Sequence, residues 1–102
     1  HHSSLKGVNL ENANLYEADL QYSDLTGANL KKAKLSKAKL QNAILRDADL
    51  SGANLHKANL EGADLTGAKL DGTNLSAVRM SGATWTDGKT KCKGGSVGKC
   101  IK

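Results

Sequence analysis

The two cysteines are the residues best suited to covalent chemistry, and both lie near the C-terminal end. Cys92 and Cys100 are separated by eight positions, in a stretch (residues 86–102) that holds four glycines and five lysines. Such a stretch has too little apolar surface to order itself, so we predict a disulfide between Cys92 and Cys100, with free thiols as the alternative. A metal site would need further ligands, and no C-x-x-C motif occurs in the sequence.

Catalytic groups are harder to find. His56 is the one histidine outside the first four residues, and its neighbour Lys57 favours a surface position. Asp, Ser and Thr recur along the chain, but a repeated flat wall lacks the enclosed setting that shifts pKa values. The sequence therefore predicts a non-enzymatic protein with no catalytic residue, cofactor-binding residue, metal ligand or small-molecule substrate.

A group of lysines is the densest charged feature. It comprises Lys31, Lys32, Lys34, Lys37 and Lys39, in a chain whose formal net charge is +5. Taken alone, the group is typical of a patch that binds nucleic acid or another anionic polymer. Whether these lysines bind a ligand depends on the structural element that carries them.

That element has a period of five residues. Every position divisible by five is Leu from Leu5 to Leu75, followed by Met80 and Trp85, and a small residue precedes most of them by two positions. A helix would spread these leucines around its surface, and one continuous strand would alternate them between faces. A short extended segment followed by a corner places both residues of each unit inside a polygon.

The two residues after each leucine are predicted to form the corners. Gly occupies the second of these positions in several units, for example Gly7 and Gly27, where a type II turn requires positive φ. Other units carry residues such as Glu17, Lys37 and Lys57 there, which adopt other turn geometries more comfortably. We therefore expect two classes of corner.

The repeated pattern A(D/N)LXX occurs verbatim in Ala13-Asn14-Leu15, Ala18-Asp19-Leu20, Ala53-Asn54-Leu55 and Ala63-Asp64-Leu65. In this the chain resembles the pentapeptide repeat family over about four fifths of its length. The resemblance implies an all-β fold, a right-handed quadrilateral parallel β-helix with twenty residues per coil, and about four coils for residues 5–85. Periodicity alone would also allow three sides.

The remaining residues lie at the ends. Residues 1–4 are interpreted as an expression-tag remnant, and residues 86–102 as a C-terminal tail that the disulfide pins against the column. Met80 and Trp85 are predicted to cap the core there. No comparable cap is expected over Leu5, Val8 and Leu10, so association through the N-terminal end is an open expectation.

The tail carries a second resemblance, through W-x-D-G-x-x-x-C from Trp85 to Cys92 and G-S-x-G-x-C from Gly95 to Cys100. It resembles the ending of some bacterial and chloroplast-lumen members of the family. Together with a stable disulfide, it implies an extracytoplasmic location, in the periplasm or thylakoid lumen. No apolar run is long enough for a transmembrane segment, and the targeting segment is expected to lie outside this chain.

Stacking every twenty residues offers a second interpretation of the lysines. It predicts that Lys31 lies beside Glu11, Lys37 beside Glu17 and Lys39 beside Asp19, one coil away. Opposite charges on adjacent strands would then explain these lysines without any ligand, although they contribute only a few tenths to about 1 kcal/mol each.

These observations favour a structural or protein-binding module with an unknown protein partner. The alternative is a binder of anionic polymer or membrane surface through the basic tail. A further alternative is a DNA mimic that protects topoisomerases, as the resemblance implies for some family members. Those members rely on an acidic surface, whereas residues 5–85 carry ten Lys and Arg against nine Asp and Glu. Nucleic acid is accordingly not the expected partner.

Overall fold

From Ser4 to Asp64, the residue that stands between the small residue and the leucine of each unit forms a parallel β-bridge with the residue twenty positions later. The computed structural model describes residues 3–102, and the described part contains no helix and no strand longer than one bridged residue. The coils form a right-handed quadrilateral β-helix, which confirms the predicted fold. Its faces are numbered here by their bridged residues: face 1, Ser4, Asp24, Ile44, Asp64 and Thr84; face 2, Asn9, Asn29, Asp49 and Lys69; face 3, Asn14, Lys34, Asn54 and Asn74; face 4, Asp19, Lys39, Asn59 and Arg79.

The core is a column of leucine and alanine side chains. From Leu25 to Leu65 every leucine is at most 1% exposed, and the small residue two positions before each of them is equally buried. The prediction that the leucine and the small residue two positions before it both face inward is thus confirmed. No unit buries its own leucine, so stability comes from the contact of each coil with its neighbours.

The corners form a single class, and the prediction of two classes was wrong. All sixteen second-corner residues from Gly7 to Gly82 have positive φ, between 57° and 75°. The amide of this residue donates to a carbonyl of the next coil, as in Lys37 N to His56 O at 2.9 Å and Gly27 N to Arg46 O at 2.8 Å. Stacked corners must share one geometry to form these bonds, so the stack overrides the preference of residues such as Lys37.

The outward Asn and Asp side chains close the corners locally. The Oδ1 atom of Asn14 accepts the amide of Tyr16 at 3.2 Å, two residues on, and Asn54 accepts the amide of His56 at 3.0 Å. The first-corner amide has no backbone acceptor among the described residues. All ten Asn and Asp residues at bridged positions from 9 to 74 make this bond. The residue before each leucine is thus a side-chain cap for the following turn.

The repeat ends at a corner of different geometry. Gly88 takes the positive φ of 74° in place of Asp87, and its amide donates to Trp85 O at 2.9 Å. The carboxylate of Asp87 then accepts the amides of Lys89 and Thr90 at 2.9 and 2.8 Å. The chain therefore reverses instead of starting another coil.

The reversed tail pairs with the last coil in the antiparallel direction. Lys91 bridges Thr84 on face 1, and Val97 bridges Arg79 on face 4. A disulfide joins Cys92 to Cys100, whose Cα atoms are 4.9 Å apart. Faces 1 and 4 are therefore covered at this end, whereas no tail residue bridges faces 2 and 3.

A candidate interaction wall

The five lysines singled out in the sequence lie on one side of the column. Lys34 is the bridged residue of face 3 and Lys39 that of face 4. Lys31 and Lys32 form the corner between faces 2 and 3, and Lys37 lies at the corner between faces 3 and 4. All five are exposed, so they form a band across half of the circumference at the level of one coil.

Two further cations extend this band along the column. Lys57 follows Lys37 on the same corner one coil later, about 4.8 Å away at the backbone. Arg79 lies on face 4 two coils beyond Lys39, with Asn59 between them. Twenty-residue stacking already predicts from the sequence that Lys57 adjoins Lys37, whereas Arg79, which lies 40 residues from Lys39, was not assigned to a site from the sequence. We call Lys32, Lys34, Lys37, Lys39, Lys57 and Arg79 the basic wall.

Three members of the basic wall occupy positions where another residue would stabilise the coil. Lys34, Lys39 and Arg79 hold bridged positions, at which Asn or Asp caps the next corner elsewhere. Their side chains make no such bond, and so the caps are missing at these three units. This departure from the repeat is the one sequence signal that could have identified Arg79.

Of the three ion pairs among the described residues, two lie on the side of the column opposite the basic wall. Lys6 is 3.6 Å from Asp24, and Arg46 is 2.6 Å from Asp64, both at the corner between faces 1 and 2. Each cation reaches the carboxylate eighteen residues later, on the face before its own corner. These contacts neutralise the corner cations of the opposite half.

The predicted pairing of the lysines with acids one coil below is largely wrong. Lys31 pairs with Asp49 on face 2 at 3.7 Å and not with Glu11. The Nζ atom of Lys37 lies 5.9 Å from the centre of the exposed Tyr16 ring, where a cation–π contact is favourable. The paired residues are eighteen positions apart and not the expected twenty, because the long side chain at a corner lies over the face that precedes that corner.

Lys39 and Asp19 are neighbours in the stack, as predicted, but their charges are not in contact. The pKa of Asp19 is lowered mainly by the hydrogen bond from the Gln21 amide, and the charge of Lys39 contributes less. No ion pair within 4.0 Å involves a member of the basic wall in the part of the chain that the structure describes. The wall therefore presents its positive charge to solvent.

The charges divide unevenly between the two halves of the column. Faces 3 and 4, with the two corners that follow faces 2 and 3, carry seven Lys and Arg against four Asp and Glu. Faces 1 and 2, with the other two corners, carry three against five. A column that is nearly neutral as a whole thus has one basic and one acidic side.

The other predicted residues lie at the ends or take structural roles. Met80 is completely buried, and Trp85 is half-buried and packs against the core, to which the buried Cys92 also belongs. A nitrogen of the His56 ring lies 2.6 Å from Ser76 Oγ, one coil later on the same corner. Residues 3–102 contain no group of three or more His, Cys, Asp or Glu that could hold a metal ion.

The geometry defines a class of protein: a right-handed quadrilateral β-helix that presents flat walls. A family model for pentapeptide repeats matches residues 1–31, 28–67 and 43–82, with eight copies of the repeat. The chain belongs to the pentapeptide repeat family.

Solved structures place it among similar proteins. Rfr23 from the cyanobacterium Cyanothece 51142 is 41% identical, with a TM-score of 0.55, over 80% of this chain and 63% of that protein. QnrB1, a plasmid-mediated fluoroquinolone resistance protein, is 18% identical with a TM-score of 0.59, over 97% of this chain and 59% of that one. A pentapeptide repeat protein from the Arabidopsis thaliana thylakoid lumen is 34% identical, with a TM-score of 0.37, over 76% of this chain and 65% of that one.

This chain thus spans about three fifths of the length of these proteins. The likeness to QnrB1 concerns the fold alone. Comparison with curated proteins found no match. Within residues 3–102 there is no helix of the length and apolar character needed to cross a bilayer.

Proposed function

We propose that this chain is a non-enzymatic protein-binding module that presents the basic wall to an acidic surface of a partner protein. The observation that supports this most directly is the use of Lys34, Lys39 and Arg79 at positions where Asn or Asp caps the corner. A hydrogen bond of that kind contributes about 0.5–1.5 kcal/mol. Ile44 on face 1 and Lys69 on face 2 also lack the cap, but faces 3 and 4 lack three. Each of those three positions carries a cation with no carboxylate within 4.0 Å among the described residues.

The shape of the wall supports a protein partner. Its cations are held on stacked coils about 4.8 Å apart, and the second-corner residues share one backbone geometry. Charges fixed in this way give orientation and fast association with a complementary surface. The exposed Tyr16 ring beneath Lys37 adds an aromatic group of the kind enriched at protein interfaces.

The disulfide supports an extracytoplasmic location for this binding. Cys92 is 3% exposed and bonded to Cys100. Bonds of this kind persist in oxidising compartments, so the periplasm or thylakoid lumen suits the chain better than the cytoplasm.

Restoring the missing caps tests the proposal. The triple variant Lys34→Asn/Lys39→Asn/Arg79→Asn should gain up to three corner hydrogen bonds and become more stable by about 1–3 kcal/mol in urea denaturation. The same variant should lose its partner. The charge-matched control is Lys69→Asn/Lys6→Gln/Arg46→Gln, which removes three cations from the opposite half.

The readout is affinity capture from a nuclease-treated extracytoplasmic extract, with the captured proteins identified by mass spectrometry. An acidic protein should be retained by the wild type and the control variant, released by moderate salt, and absent with the triple variant. Retention of the same proteins by all three baits would refute the proposal. Binding only to anionic vesicles or to heparin, unchanged in the triple variant, would instead favour the alternative role of the five tail lysines.

We do not propose topoisomerase protection through DNA mimicry. A mimic of DNA needs a strongly acidic surface, whereas residues 5–85 carry ten Lys and Arg against nine Asp and Glu, and the more acidic half has five acids against three cations.

A further inference from the structure

The last coil has an edge that the tail covers on only one half. On faces 4 and 1, Met80 N donates to Ser96 O at 3.0 Å and Trp85 N donates to Thr90 O at 2.7 Å. In return, Val78 O accepts Gly98 N at 2.8 Å. The tail thus adds an antiparallel strand to this half of the edge.

The other half of the same edge, on faces 2 and 3, offers the same groups ten residues earlier. Leu70 N, Gly72 N and Leu75 N correspond to Met80 N, Gly82 N and Trp85 N, and the carbonyls of Ala68 and Thr73 correspond to those of Val78 and Ala83. None of these five groups has a backbone partner among residues 3–102. We call them the open edge.

The apolar side chains beneath the open edge are also less covered. Leu70 and Leu75 are half-buried, whereas Met80 under the tail is completely buried. The residues of the tail that point inward over the core are small, since Cys92 and Ser96 are 3% and 0% exposed. The open edge therefore has room for one extended chain with small inward side chains.

We propose that the open edge binds an extended segment of a partner protein by antiparallel strand addition. The segment has small residues at its inward positions, no proline at its donor positions, and one outward residue opposite each of Lys69 and Asn74. Two extended stretches and a corner between them reproduce the register of the tail, because faces 2 and 3 are related to faces 4 and 1 by half a coil. Main-chain hydrogen bonds supply the affinity, as in other cases of strand addition.

A second copy of the chain does not fit this site as a stacked coil. The tail already stands on faces 1 and 4, so a flat coil placed on this end would meet residues 90–98 before it reached faces 2 and 3. Only a narrow extended segment reaches the open edge. This proposal uses none of the residues of the basic wall and is independent of the proposed function.

The probe is a synthetic peptide with the sequence of residues 89–102, oxidised to its disulfide, because this sequence pairs with the equivalent half of the edge. Its matched control is the same peptide N-methylated at the residues equivalent to Cys92 and Gly98, whose amides donate to the coil. The control keeps composition and charge. Amide hydrogen exchange of the ¹⁵N-labelled full chain is followed by NMR at millimolar peptide.

Exchange of the Leu70 and Leu75 amides should slow at least tenfold with the probe peptide, while the Asn9 and Asn14 amides at the opposite end remain unchanged. The N-methylated peptide should have no effect. Unchanged exchange at Leu70 and Leu75 would overturn the proposal. Equal protection by both peptides would overturn it as well, since charge and not strand pairing would then account for binding.

Discussion

At the residue scale, the residue before each leucine either stabilises the next corner or leaves its side chain available for a functional role. Asn and Asp at this position accept the amide of the first corner residue, which has no other partner among the described residues. Their frequency in the repeat is thus explained by turn chemistry and needs no ligand. The bridged residues without a capping Asn or Asp side chain are therefore the candidates for a functional role, and among them Lys34, Lys39 and Arg79 share one side of the column.

The corner cap can be measured on face 3. Asn54→Ala should destabilise the chain by about 1 kcal/mol, because the His56 amide loses its acceptor. Lys34→Ala is the control, since Lys34 is the bridged neighbour of Asn54 and is equally exposed. Urea denaturation should show a change of less than about 0.5 kcal/mol for the control. Equal losses in the two variants would contradict the capping role.

At the scale of elements, the reversal after Trp85 ends the β-helix and begins the cap. Asp87 organises it through two backbone amides and the Thr90 hydroxyl, which donates to Oδ2 at 2.5 Å. These bonds, first of all that from the Thr90 hydroxyl, lower the pKa of Asp87 to about 2. The turn is therefore held by an ionised carboxylate.

The reversal should consequently loosen in acid. Because the pKa of Asp87 is lower in the folded chain than its ordinary value of 3.8, its stabilising effect is complete above about pH 4 and is lost as the pH falls toward 2. Exchange of the Lys89 and Thr90 amides should accelerate through this window beyond the ordinary change in intrinsic rate. In Asp87→Asn this extra acceleration should disappear. Its persistence in the variant would show that another group controls the turn.

The disulfide should stabilise the cap more than the column. In Cys92→Ala/Cys100→Ala the loop closure, worth roughly 2–3 kcal/mol on the chain-entropy model, is removed from the tail alone. The amides of Met80 and Trp85, which pair with the tail, should lose protection, and the fluorescence of the single tryptophan should shift to the red. The melting temperature should fall by only a few degrees.

Two measurements check this prediction. Thiol titration of the unreduced wild type should find no free thiol, and detection of two would contradict the bond itself. Circular dichroism of the double variant should retain the β-helix signal. Global unfolding of that variant would show that the cap supports the whole column.

At the scale of the whole molecule, stability depends on the stacking of coils. The leucines of the central coils are fully buried, whereas Leu5, Leu10, Leu15 and Leu20 of the first coil are half-buried. The N-terminal end is therefore the less protected one among the described residues. Fraying should begin there, as is typical of solenoids with an uncovered end.

This gradient can be tested with two leucines of face 3. Leu55→Ala should cost about 2–5 kcal/mol, because it opens a cavity between two coils. Leu15→Ala removes the same atoms from the first coil and should cost less than half as much. Urea denaturation of both variants provides the measurement. Similar losses would indicate that the first coil is as tightly enclosed as the centre.

The five-residue repeat by itself determined the inward positions, the corners, and, through the family resemblance, the four-sided helix. It could do so because every unit repeats the same contacts at a local spacing. The second-corner geometry was not predictable from single residues such as Lys37 or Lys57, since the bond to the next coil decides it.

The tertiary structure alone decided which charges meet. Lys31 was predicted to pair with Glu11 and instead reaches Asp49, and Arg79 joins Lys39 only through two turns of the helix. The open edge likewise depends on where the tail reverses, which Asp87 and Gly88 fix by hydrogen bonding. The sequence pattern specifies the contacts that every unit repeats. The charges that meet on the surface are specified by the length of the side chains and by stacking between residues 18 to 40 positions apart, because those contacts exist only once the coils are closed.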